Sequence, residues 1–308
     1  MVLRCAVCLL FLTLTSAWAQ TCADIEQVLK SPKHEKALKS AEEGNALAQL
    51  TLGRAYECRS EFAEAVRWYR KAADRGNEAA QVNLGAMYLE GEGVAQDPGE
   101  AFKWFARAAT RGFAPAENNL AILYGSGRGV KQSDEAAFHW FSRAVEQRYY
   151  PAFAPLAAEY LWGRGVTQDE AKAFKLAQQA AEHGDIRAQE YLAWMYSKGE
   201  GAPKNIMKAI EWNRKAAASG SAIAENNLGF LYEHGAPNGI DITEAIKWYR
   251  LAAEHGLAEA EYNLGVLYRD GRGVEKNEAE SQRLIALSAQ HGYRPNTPPV
   301  PSETAGMR

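Results

Sequence analysis

The chain has 308 residues, 24% charged and 47% hydrophobic, with a formal net charge of −3. That near-neutral balance excludes a nucleic-acid surface, which needs clustered Lys and Arg. No run of like charge is long enough to form an interaction tail. Length alone suggests one or two globular domains, but it misjudges repeat arrays, so periodicity is tested first.

Residues 1–19 have the pattern of a cleavable signal peptide: Arg4 supplies the positive start and Cys5 to Leu14 a short apolar core. That core is too short to span a bilayer of ~30 Å. Ala17-Trp18-Ala19 places small residues where signal peptidase reads, so cleavage is expected before Gln20. The alternative is a retained N-terminal anchor. Cys22 follows Thr21, with Ala19 at the third place before it, which does not suit lipidation. No later apolar run reaches membrane length. A periplasmic or secreted protein without stable membrane insertion is therefore expected. Cleavage leaves two cysteines, Cys22 and Cys58, and an even count in an exported protein favours a disulfide over a metal.

From there the chain is periodic. Ala-Ala-x-x-Gly or a close relative ends at Gly76, Gly112, Gly184, Gly220, Gly256 and Gly292, in steps of 36 residues, with Arg148 standing where one Gly belongs. Gly44 opens a shorter first unit. A period of this size marks a solenoid. Each period reads as two helices. In the first, helix A, Ala80, Leu84, Gly85 and Tyr88 share one face, and the same Ala and Tyr recur in every copy. Gly-x-Gly-Val loops follow at 91–94, 127–130, 163–166 and 271–274. Without a preceding strand or a Gly-Lys-Ser/Thr ending they are not phosphate loops; they end helix A, and the valine can plug the apolar seam. Helix B then starts at cap-type residues: Asp97, Ser133, Asp169, Asn205, Asp241 and Asn277. Pro98 fits the first helical position, and Glu100 is expected to complete a capping box with Asp97. Trp68, Trp104, Trp140, Trp212 and Trp248, with Leu176 and Leu284 in register, read as buried core of helix B.

Ala…Leu-Gly-x-x-Tyr…Gly-x-Gly-Val…Asp…Ala…Trp-Tyr/Phe…Ala-Ala-x-x-Gly resembles the SEL-one-like repeat (SLR), a relative of the tetratricopeptide repeat, across about Asn45 to Gly292. The resemblance implies an all-α fold, a right-handed α/α superhelical solenoid of helix-turn-helix repeats that works as a protein-binding scaffold. Exported bacterial members are envelope-signalling regulators, envelope assembly factors and host-interaction proteins. Some cysteine-rich relatives are assigned penicillin binding or β-lactamase activity.

The organisation expected is a signal peptide at 1–19, a capping helix at 20–44, seven repeats at 45–76, 77–112, 113–148, 149–184, 185–220, 221–256 and 257–292, and a disordered Pro-rich tail at 293–308. The capping helix starts near Cys22, and helix A of repeat one ends near Cys58. Antiparallel neighbours bring those ends together, so a Cys22–Cys58 disulfide is expected. Repeat four is degenerate, with Arg148, Tyr149, Tyr150, Pro151, Pro155 and Leu176. Pro155 requires helix A to start late, and a bend at this repeat is a further expectation.

Motifs for chemistry are missing. His34-Glu35 does not continue to His-Glu-x-x-His, and neither Ser-x-x-Lys nor Gly-x-Ser-x-Gly occurs. His183, His255 and His291 recur one repeat apart or more, too far to share a metal at ~2.1 Å; they read as helix C-terminal residues favoured by the dipole. No cofactor or metal is expected, and the chain is not read as an enzyme. The resemblance implies that helix A lines the concave face, so the binding surface is expected in that concave groove, 3, 6 or 7, 10 and 14 residues after the repeat-ending Gly. One row there holds Asn83, Asn119, Asn227 and Asn263, amides that either pair with a peptide backbone or brace adjacent repeats. Another runs Arg54, Ala86, Ile122, Ala158, Trp194, Phe230 and Val266, turning bulky in repeats five to seven. A core position would not interchange Arg, Ala and Trp. A protein or peptide groove centred on Trp194 and Phe230 is expected, with Glu190, Trp162, Asn226 and Tyr262 at its flanks. The readings held in reserve are a cell-wall or β-lactam hydrolase and a secreted host-interaction factor.

Overall fold

The computed structural model describes Cys22 and residues 33–235 and 239–295. The expected signal peptide, the first part of the capping helix and most of the Pro-rich tail lie outside the described residues. The chain divides into two units, Met1–Gln168 and Asp169–Arg308. The first holds α1 (Lys33–Glu42), α2 (Ala46–Cys58), α3 (Phe62–Asp74), α4 (Glu78–Glu90), α5 (Pro98–Ala109), α6 (Ala114–Ser126), α7 (Asp134–Glu146) and α8 (Phe153–Trp162). The second holds α9 (Glu170–Glu182), α10 (Ile186–Lys198), α11 (Ile206–Ala218), α12 (Ala222–His234), α13 (Ile242–Glu254), α14 (Ala258–Asp270) and α15 (Glu278–Gln290). Among the described residues there is no β-strand. Within each unit every helix packs on the next, the stacking of a solenoid. From α2 onward, even-numbered helices are helix A and odd-numbered ones helix B.

The caps form as the residue types demand. Asp97, Ser133, Asp169, Asn205, Asp241 and Asn277 each accept, through a side-chain oxygen, the backbone N–H three residues on. The capping box does not form. Glu100 pairs with Lys103, and the Asp97 N–H donates to the Tyr88 carbonyl (2.8 Å). The same strap joins Ser133 to Tyr124, Asn205 to Tyr196, Asp241 to Tyr232 and Asn277 to Tyr268. Helix A's own exit carbonyl satisfies the donor that a box would have used, and it closes the loop as well.

The core sits between the two helices of each repeat. Ala80 and Leu84 are fully buried, and Gly85 faces Phe105 so closely that a Cβ there would run into the ring. Gly53 faces Tyr69 and Gly229 faces Tyr249 in the same way. The residue after each Trp therefore takes the central place: Tyr69, Phe105 and Tyr249 are at most 1% exposed. This corrects the expectation for the tryptophans. Trp68 is buried, but Trp104, Trp140, Trp212 and Trp248 are half-buried. Arg107, Arg143 and Lys215 lie over three of those rings. Val94, Val130 and Val274 pack against the core clusters, as the loop motif implies. Neighbouring repeats join through edge-on ring pairs, Phe102–Tyr124 and Phe138–Tyr160 in the first unit and Phe174–Tyr196 in the second.

Two departures are settled by local chemistry. Cys22 and Cys58 are joined by a disulfide, with Cα atoms 5.6 Å apart. In repeat four a 3-10 turn over Tyr150–Ala152 precedes α8, so Pro155 falls in the first turn, where a missing N–H is harmless. Helix A does start late there.

Candidate protein-binding face

At 100° per residue, the buried residues Ala188, Gln189, Leu192 and Ala193 of α10 occupy one side, with the buried Glu190 and Met195 at its two margins. Arg187, Tyr191, Trp194 and Lys198 fall on the opposite side, at i, i+4, i+7 and i+11, and none of them is buried. The same positions are Ile223, Asn227, Phe230 and His234 on α12, and Glu259, Asn263, Val266 and Asp270 on α14. The three helices lie side by side. Asn263 Nδ2 donates to Asn226 Oδ1 (3.0 Å), tying α14 to α12. The Ser221 hydroxyl, at the cap of α12, donates to Glu190 Oε1 (2.5 Å) on α10.

Phe230 is 52% exposed, and its ring stacks on that of His234 with centroids 4.1 Å apart. Trp194 and Val266 flank it in half-buried positions. Tyr262, the next residue before Asn263 on α14, is half-buried and meets Tyr293 with the rings tilted and their centroids 5.1 Å apart.

Glu190 is elsewhere. It is 8% exposed, and burial pushes its carboxyl above the usual range, partly relieved by Ser221 and Arg187. The expected "6 or 7" spacing resolves here: in α10 and α12 position 6 is buried in the contact between repeats, and position 7 is half-buried beside it. Asn226, also at position 6, is 4% exposed. The asparagine row braces the fold. Asn227 Nδ2 reaches Asn213 Oδ1 (3.5 Å), and Asn83 bonds Tyr69. Trp162, in the first unit, lies under the Arg164 guanidinium at 5.2 Å.

The histidines are occupied as well. All three cap helix C-termini, as expected. The His183 Nδ1–H donates to the Gln179 carbonyl. His255 and His291 instead reach Glu225 (2.8 Å) and Glu261 (3.0 Å), glutamates 1% exposed on helix A of the same repeat. Sequence reasoning missed that row. Where it holds Gln, as at Gln49, Gln81 and Gln189, the amide donates back to a carbonyl of the preceding helix. Recurrence at one position beside the invariant Ala was the available signal.

The Sel1 repeat profile matches seven stretches: 46–77, 78–113, 114–149, 156–185, 186–221, 222–257 and 258–293. The chain belongs to the Sel1 repeat family. Such repeats generally serve as non-catalytic protein-interaction scaffolds. Among solved structures it is similar to a Sel1 repeat protein from Oxalobacter formigenes, at 33% identity and TM-score 0.71, over 78% of this chain and 99% of that one. It is also similar to c5321, a protective antigen of uropathogenic Escherichia coli strains displaying an SLR fold, at 31% identity and TM-score 0.65. That likeness covers 84% of this chain, which spans 64% of c5321. No curated protein matches. Among the described residues no helix is long and apolar enough to cross a membrane.

Proposed function

We propose that this Sel1 repeat chain is an exported, non-enzymatic scaffold that holds an extended segment of a partner protein on the outward face of α10, α12 and α14, in envelope signalling or assembly. The observation that carries this reading is Phe230. A large ring more than half exposed on its helix, between the apolar side chains of Trp194 and Val266, is what partner sites expose and folded cores do not. Export draws support from the N-terminal pattern and from the Cys22–Cys58 bond, which persists in oxidising compartments. Crosslinking and mass spectrometry in the native bacterium test the reading. The Trp194→Ala/Phe230→Ala chain should lose specific partners, and an unchanged partner list would discard this face.

One comparison favours a second destination for the same activity. The related c5321 is a protective antigen of a pathogen, which supports a host protein as the source of the partner segment. Protease shaving of intact cells separates the two: loss of this chain means surface display, and protection means the periplasm.

A further inference from the structure

The face has a charge order as well as an apolar centre. On α10 the outward positions at either end are Arg187 and Lys198, both cationic. On α12 they are Ile223 and His234, with no carboxylate. On α14 they are Glu259 and Asp270, both anionic. Resting on the groove reading above, we propose that the occupant is an extended peptide with an acidic side chain at the α10 end, an aromatic or aliphatic one over Phe230 and a basic one at the α14 end. Repeats ~10 Å apart place those ends ~20 Å from each other, about six residues of extended chain at ~3.3 Å each.

The neighbours of these groups limit which of them can act. Asp270 is ion-paired to Arg269 (2.8 Å), so the anionic end rests on Glu259. Burial pushes the Glu259 carboxyl above its ordinary range, and the Asn226 amide relieves it. Tyr249 and Tyr293 feel its charge. An arriving Lys or Arg would supply a cation there. At the other end, Arg187 is shared with Asp185 and Glu190, carboxyls that burial holds toward the neutral form. Lys198 is exposed beside Glu200. Charge pairs at such rims set specificity and orientation more than raw affinity.

The test uses the full chain and four fluorescein-labelled heptapeptides built on Ser-Phe-Ser-Phe-Ser, which puts the rings on the same face of an extended chain as the two end residues. Their end residues are Glu and Lys, Glu and Glu, Lys and Lys, or Ser and Ser. Fluorescence anisotropy should show the Glu/Lys peptide bound about tenfold more tightly than either like-charged one, with the margin shrinking at high salt. Glu259→Lys should move the preference to the Glu/Glu peptide, and Arg187→Glu/Lys198→Glu to the Lys/Lys peptide, with circular dichroism confirming that each variant is folded. Equal binding of all four peptides, still lost in Phe230→Ala, would overturn the charge order and leave the groove standing. Binding of none would overturn both. Tighter binding by a chain ending at Pro295 would make residues 296–308 the occupant in place of a partner.

Discussion

The two units share one scaffold and differ on one stripe. In repeats one to three of the first unit, the position that becomes Trp194 and Phe230 in the second is Arg54, Ala86 and Ile122. The position four residues on is Cys58, Glu90 and Ser126, against Lys198, His234 and Asp270. The scaffold residues do not change in step. Leu84 and Leu228 are both fully buried, and Gly85 and Gly229 both receive a ring. The same packing therefore holds both units, and what separates them lies outside that shared core. That contrast is the ground on which binding is proposed for the second unit.

The largest expected effect tests the shared half of the comparison. Phe105→Ala and Tyr249→Ala each remove a fully buried ring seated on a glycine, and each should destabilise its own unit by ~3–5 kcal/mol. Hydrogen exchange resolved by segment reads the two units separately. A small loss in one alone would break the claim of a common scaffold.

The next effect is confined to the first unit. Removing the bond with Cys22→Ser/Cys58→Ser should destabilise by ~3–4 kcal/mol. Protection should fall around α1 and α2, where Ala41, Leu52 and Trp68 form the end of the array. Terminal repeats lack a neighbour on one side, so a covalent tie adds most there. A global loss extending to α14 would contradict the separation of units.

Much of this was legible because helices and caps are local. The cap at Asp97, the valine plug at Val94 and the late start forced by Pro155 each depend on a few adjacent residues. The meeting of Cys22 with Cys58 needed only antiparallel neighbours. The misreadings share a different cause. Trp104 and Phe105 are adjacent and both aromatic, and a period alone does not say which of them enters the gap above Gly85. Nothing in the local sequence marks Glu117, Glu225 and Glu261 as buried, yet each is at most 1% exposed. Their partners, Arg143, His255 and His291, lie a helix away. Glu190 looked like part of the groove because positions 6 and 7 differ by only 100° around the helix. Ser221 supplied the pull inward.

A smaller effect uses that buried carboxyl. A folded-state pKa raised above the unfolded value means that the folded chain holds the extra proton. The stability is fully present below the ordinary glutamate value of about 4.3 and is lost as pH rises through the folded value. Glu190→Gln keeps an acceptor for Ser221 and removes the charge. Its Tm should match the parent at low pH and exceed it at neutral pH. Equal Tm curves across the range would mean that burial does not raise the Glu190 carboxyl above its ordinary value.

The smallest expected stability change carries the sharpest functional claim. Phe230→Ala removes a ring that is 52% exposed and stacks on the exposed ring of His234. Exposed substitutions usually change stability by no more than ~0.5 kcal/mol, whereas truncating an aromatic anchor at an interface can weaken binding by ~2 kcal/mol or more. Leu228→Ala, two residues earlier on the same helix, should do the reverse: it opens a cavity in the core, destabilises by ~2–5 kcal/mol and leaves the outward face chemically intact. Chemical denaturation and peptide anisotropy on this pair of variants cross the two properties. If Phe230→Ala unfolds the second unit as readily as Leu228→Ala, the exposed ring is scaffold after all. The contrast between the two units would then reflect packing drift rather than a binding site.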